Sequence, residues 1–161
     1  MSVNRRRALV IVSSAGLGCR AMLDLARAES PSDFDPVATA KLRAGEIVRA
    51  IVGSGRDASR PEPAHDELFN TGLLLQAGLR ALLPVHEPRG VALPGTPSPN
   101  DPKELILAQE NYTAVFGSGT EATAAQRATA MASIELAAQQ LEKAGYTVLA
   151  KKVTEWLRTR R

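Results

Sequence analysis

Cysteine is almost missing from this sequence, and the single Cys19 rules out an intramolecular disulfide framework and any cysteine-built zinc cluster. Histidine is nearly as rare: His65 and His86 are the only two, too few for a histidine-rich metal site, so no metal or other cofactor is expected. Bulky anchors for a core are also scarce, with three Phe, two Tyr and one Trp in 161 residues. No apolar run approaches the roughly 20 residues that cross a bilayer, and no membrane span is expected.

Alanine fills the gap. It occurs 26 times, and its small side chain and high helix propensity favour closely packed helices over a thick β-sandwich. The length suits one domain, 1–161. Net charge is +3, but the ends, residues 1–7 and 151–161, carry +3 and +4, leaving the 143 residues between them at −4. Basic ends on a mildly acidic body point to termini that meet an acidic protein surface or phosphate, through Arg5, Arg6 and Arg7 at one end and Lys151, Lys152, Arg158, Arg160 and Arg161 at the other. Solvated ends explain the same charges. Asn4 to Leu9 loosely resembles a twin-arginine export signal, yet Arg20 and Asp24 interrupt the apolar segment behind it, so export is the minority reading against a cytoplasmic or virion location.

Along the chain, apolar residues recur at helical spacing. Residues 5–28 read as one helix, with a short strand over Ala8 to Val12 as the rival. Asp35 as N-cap and Pro36 at the first helical position open a helix whose stripe is Val37, Ala40, Ala44, Ile47, Val48 and Ile51, closed by Gly53-Ser54-Gly55. Ala64 to Leu83 carries leucine on more than one face and is the expected central helix, with Gly72 and Gly78 placed where a neighbour comes close. Asp101-Pro102-Lys103-Glu104 and Ser118 to Glu121 read as the next two helix starts. The second of these helices buries Ala124, Met131, Ile134, Ala138 and Leu141, and Gly145 ends it. A last helix from Thr147 to about Thr159 turns Leu149, Val153, Trp156 and Leu157 inward. The expected fold is all-α, five to six helices in an irregular bundle.

Residues 84–102 stand apart. Prolines at 84, 88, 94, 97, 99 and 102 remove backbone donors and forbid a helix or an interior strand, so the segment reads as a long extended loop or arm. A loop of that length in a compact domain is usually functional or disordered. Val85, Val91, Leu93, Pro94 and Pro97 give it apolar surface to bury on a partner.

Motifs that carry chemistry are weak. Gly16-Leu17-Gly18 and Gly53-Ser54-Gly55 lack the full spacing of a nucleotide loop. His65-Asp66-Glu67 places its members on different sides of a helix, and acidic residues at a helix start answer to the dipole alone. No catalytic residue is assigned. The leading expectation is a non-catalytic structural or adaptor subunit of a larger assembly, such as a phage or virus-like particle connector, whose partners are protein subunits, copies of itself included. The alternatives are an accessory nucleic-acid-binding protein using the basic ends, with Trp156 stacking, and an exported helical protein or an enzyme of unfamiliar type.

Overall fold

The computed structural model describes residues 34–83 and 98–161. The expectations for residues 5–28, Arg5 to Arg7, Cys19, His86 and the partner-binding residues Val85, Val91, Leu93, Pro94 and Pro97 lie outside them. Six helices and no strand occur among the described residues: α1 (Pro36–Lys41), α2 (Ala44–Gly53), α3 (His65–Leu82), α4 (Lys103–Ser118), α5 (Ala124–Lys143) and α6 (Thr147–Arg158). The all-α reading therefore holds. All six belong to one compact unit, Pro31–Arg161.

Asp35 caps α1 as its sequence position requires, its Oδ1 accepting from the N–H groups of Val37 and Ala38 at 2.9 and 3.1 Å. The single helix expected over 36–53 is instead two. Leu42 is extended, with ψ 151°, and α2 restarts at Ala44, where Glu46 accepts from the Arg43 N–H at 2.8 Å. The cause lies in α3: Arg80 Nε donates to Ala40 O at 2.7 Å, Arg80 Nη2 donates to Leu42 O at 3.2 Å, and Gln76 Nε2 also donates to Leu42 O. These side chains take up carbonyls that a continuous helix would have used for its own ladder.

The central position of α3 is as expected. It packs against α1, α2, α4 and α5, and its buried set runs round the helix, including Leu68, Leu74, Leu75, Leu79 and Ala81. Both helical glycines sit at crossings. A Cβ on Gly72 would lie 2.8 Å from Ile47 Cγ2 of α2, and one on Gly78 would lie 2.7 Å from Ile134 Cγ1 of α5. Absent side chains let the axes approach.

Two helix starts differ from expectation. α4 begins at Lys103, and Asp101 does not cap it; its Oδ2 accepts from the Ser98 N–H at 2.9 Å, closing a turn over 98–101. α5 is capped by Thr123 with Gln126 rather than by Ser118 with Glu121. Gly119, at φ +63°, ends α4 in the left-handed region, and Ser118 Oγ turns back to the Val115 carbonyl at 2.8 Å. On α5 the buried residues are Ala130, Ser133, Ile134, Ala137, Ala138 and Leu141, while Ala124 is exposed and Met131 half-buried. On α6 they are Ala150, Val153 and Leu157, with Leu149 and Trp156 half-buried.

α5 ends in a Schellman motif: Tyr146 N–H donates to Leu141 O at 2.9 Å, Gly145 N–H donates to Glu142 O at 3.1 Å, and Gly145 takes φ +91°. This corner anchors the preceding loop. Asp57 N–H donates to Gly145 O at 2.8 Å, and a Cβ on Gly145 would meet Asp57 O at 2.9 Å. Asp57 in turn accepts from Ser59 Oγ at 2.7 Å and Ser59 N–H at 2.9 Å, and these bonds hold its carboxyl below the ordinary aspartate range. Because the folded value is the lower one, the contribution of this turn is present above the unfolded aspartate value and is lost as pH falls through the folded one. Carbon-detected NMR titration is expected to show Asp57 below its ordinary value, and Ser59→Ala to raise it; an unmoved Asp57 in that variant contradicts the assignment.

α3 and α4 run parallel. The first turns of α3 and Pro102, just before α4, line one cleft, while Arg80 in the last turn of α3 lies over the ring of Tyr112 in α4, 5.6 Å from its centroid.

Candidate functional site

The loop pinned to the Gly145 corner delivers Pro61, Glu62 and Pro63 to one side of an open cleft of about 400 Å³. The opposite side is the start of α3, through Glu67, Leu68, Asn70 and Thr71; the end of α5 adds Gln140, Lys143 and Ala144, and Pro102 closes the rim. Thr71, only 6 % exposed, forms the floor, its Oγ1 2.8 Å from both Glu67 O and Gln140 Oε1. One hydroxyl proton serves one of these at a time. Gln140 Oε1 therefore shares the Thr71 proton with Glu67 O.

The charged rim consists of Glu62, Glu67 and Lys143, all exposed. Glu67 is partly committed, since its Oε2 accepts from the Ala64 N–H at 3.3 Å and so caps α3. The arrangement suits recognition: apolar walls of three prolines, Leu68 and Ala144, with a few polar groups to orient an occupant.

His65, Asp66 and Glu67 do not converge. His65 is exposed and stacks on Phe69 with centroids 6.4 Å apart, and its Nδ1 is 3.7 Å from Asp66 Oδ1, a contact that is open to solvent on both sides. Their acidic members complement the helix N-terminus.

At the basic C-terminal end, Lys151 and Arg158 are exposed and Lys152 is half-buried, with Glu155 on the same face between the first two. The other two predicted cations have partners within the chain. Arg161 Nη2 lies 2.6 Å from Glu135 Oε2, and the Arg160 guanidinium lies 5.1 Å from the centroid of Trp156. Trp156 also meets Phe34 edge-on, at 6.1 Å and 77°. Its ring is therefore engaged on the unit's own residues, in keeping with a core role rather than a stacking platform.

A second surface lies at the end of the apolar face that the sequence places on α4 through Leu105, Ala108, Tyr112 and Val115 or Phe116. The buried stripe of α4, Leu105, Ala108 and Tyr112, continues one turn further into Phe116, which is 46 % exposed, with its ring 5.9 Å from that of Tyr112 and with Val115 half-buried beside it. On the outer side of the same helix Leu107 is 58 % exposed. The spacing that puts Val115 or Phe116 on the face of Tyr112 is readable from the sequence, but where the neighbouring helices stop covering α4 is not written in it. Comparison with protein-family models, curated proteins and solved structures finds no match, and the reading of this unit rests on its own geometry.

Proposed function

We propose that the chain is a non-catalytic helical subunit or adaptor of a larger protein assembly, of which a phage or virus-like particle connector is one example. The observation that carries this reading is the overhang of α4, where an apolar stripe runs past the core and leaves Phe116 uncovered. Val37, Val52 and Val148 are also exposed, but singly, as apolar side chains ordinarily are. Phe116 differs because it extends a packed face in a chain that has only three phenylalanines. A contact there would be continuous with the bundle core, which is how rigid subunits join.

Size measurement in native extract tests it. The chain is expected to elute well above its own 17.1 kDa, and Phe116→Ser to return it toward the monomer position while circular dichroism of the purified variant stays unchanged. Elution of the native chain as a free monomer would overturn the reading. The nucleic-acid alternative rests on both basic ends: Arg5, Arg6 and Arg7, which lie outside the described residues, and Lys151, Lys152 and Arg158, since Arg160 and Arg161 have partners within the chain; it requires binding that weakens steeply with salt.

A further inference from the structure

We infer that the outer face of α4 is a contact with a second copy of this chain, in which two α4 helices cross antiparallel at Leu107 and the Lys103 of each copy meets the Glu110 of the other. The inference rests on the reading of the chain as a subunit and names one of its partners, itself. It concerns the side of α4 opposite Phe116, which lies nine residues, two and a half turns, beyond Leu107.

Leu107, 58 % exposed, is the most exposed large apolar side chain among the described residues. Lys103 precedes it by four residues and Glu110 follows it by three, so the three share one stripe of the helix, and all are exposed. Lys103 and Glu110 are two turns apart, about 10 Å at 1.5 Å per residue, too far to pair with each other. Neither has an opposite charge three or four residues away on the helix: Ile106 and Leu107 stand between them, and Thr113 and Ala114 follow Glu110. Neither enters an ion pair among the described residues. Lys103 is moreover the first residue of α4, where the helix dipole disfavours a cation.

A cation and an anion set evenly on either side of an apolar side chain form a pattern that complements itself under a two-fold rotation. Two copies of the stripe laid antiparallel bring Lys103 level with Glu110 twice, with Leu107 against Leu107 and the half-buried Ile106 beside them. A parallel copy would set Lys103 against Lys103 and Glu110 against Glu110. Each ion pair falls about 5 Å from the crossing point. Helix axes that cross at about 20° or 50° have separated there by only a few ångströms, within reach of both side chains. Exposed pairs are weak one by one, so the charges set direction while the apolar centre supplies most of the affinity. One stripe per copy is a small interface, and the dissociation constant is expected on the order of 10–100 µM.

Sedimentation velocity of the full chain, from about 5 to 500 µM, tests this. The parent is expected to form a dimer as concentration rises. Lys103→Glu and Glu110→Lys, each alone, are expected to weaken it at least about tenfold, since each sets two like pairs in the contact. The double variant Lys103→Glu/Glu110→Lys is expected to return to within about threefold of the parent, and so is an equimolar mixture of the two single variants. Leu107→Glu is expected to abolish the dimer, whereas Phe116→Ser leaves the charge pattern in place. All substituted positions on the stripe are exposed, and Lys103→Glu puts an acid where the dipole favours it, so circular dichroism and urea midpoints are expected to stay level or rise. A parent that stays monomeric at the highest concentration, or single charge reversals without effect, overturns the inference. Association of the mixture without association of the parent also overturns it, since that outcome belongs to parallel helices. A chain that sits in a large native complex but shows no such charge pattern refutes this inference alone, whereas a chain that is monomeric in extract refutes the subunit reading whatever the purified protein does.

Discussion

Replacing Gly78 by alanine is expected to destabilise the fold by about 2 kcal/mol, although alanine is the better helix former by about 1 kcal/mol. The sign is decided by space. A Cβ at Gly78 would lie 2.7 Å from Ile134 Cγ1 and 2.8 Å from the Ala130 carbonyl oxygen. Ile134 is fully buried, and the carbonyl belongs to the backbone of α5, so neither yields without moving the crossing between the two helices. Gly72→Ala meets chiefly the Ile47 side chain, at 2.8 Å, and is expected to cost less. Gly45→Ala in α2 has nothing within 4 Å and is expected to stabilise by about 0.5–1 kcal/mol. Urea denaturation of the three variants measures all three signs through the midpoint at constant slope. A stabilising Gly78→Ala would contradict a crossing at which that Cβ meets Ile134 Cγ1 at 2.7 Å.

These glycines also mark the boundary of what the sequence makes legible. Features fixed by neighbours in the chain are readable from it: Asp35 and Pro36 at the start of α1, Gly145 at the end of α5, and the excess of leucine around α3 that makes it central. A glycine inside a leucine-rich helix signals a close approach without naming the partner. The break after Lys41 is not readable, because the groups that make it, Gln76 and Arg80, lie 34 to 40 residues away and on periodicity alone belong to another helix. The cleft is less legible still. Its walls come from four separated stretches, and Pro61 and Pro63 read only as linker residues until the Asp57–Gly145 hydrogen bond places their loop. Conversely, proline spacing makes 84–102 conspicuous in the sequence, whereas the parallel course of α3 and α4 is encoded by no local pattern.

Arg80→Met is expected to cost about 3 kcal/mol and to loosen α1 selectively. Replacing a buried ion pair by well-packed apolar residues is often neutral, because both charges leave together. Among the described residues Arg80 also donates to the backbone carbonyls of Ala40 and Leu42, and no side-chain substitution removes those. Arg80 is only 8 % exposed and fits its aliphatic stem into the core, a role that methionine can fill. What methionine cannot do is donate, so Ala40 O loses its charged donor in a buried place. Leu42 O keeps Gln76, which makes the two side chains partly redundant there and predicts that Gln76→Leu alone costs less than Arg80→Met. The double variant is expected to lose more than the sum of the two, since only then is Leu42 O stripped of both donors. Arg80→Lys retains the charge but not the fork that reaches two carbonyls, and is expected to recover less than half of the loss. Urea midpoints give the energies, and hydrogen exchange locates them: protection at Thr39 and Leu42 is expected to fall in Arg80→Met while the centre of α5 changes only with global stability. An Arg80→Met protein within about 0.5 kcal/mol of the parent, or one whose protection falls evenly across all helices, would show that the break between α1 and α2 holds without this clamp.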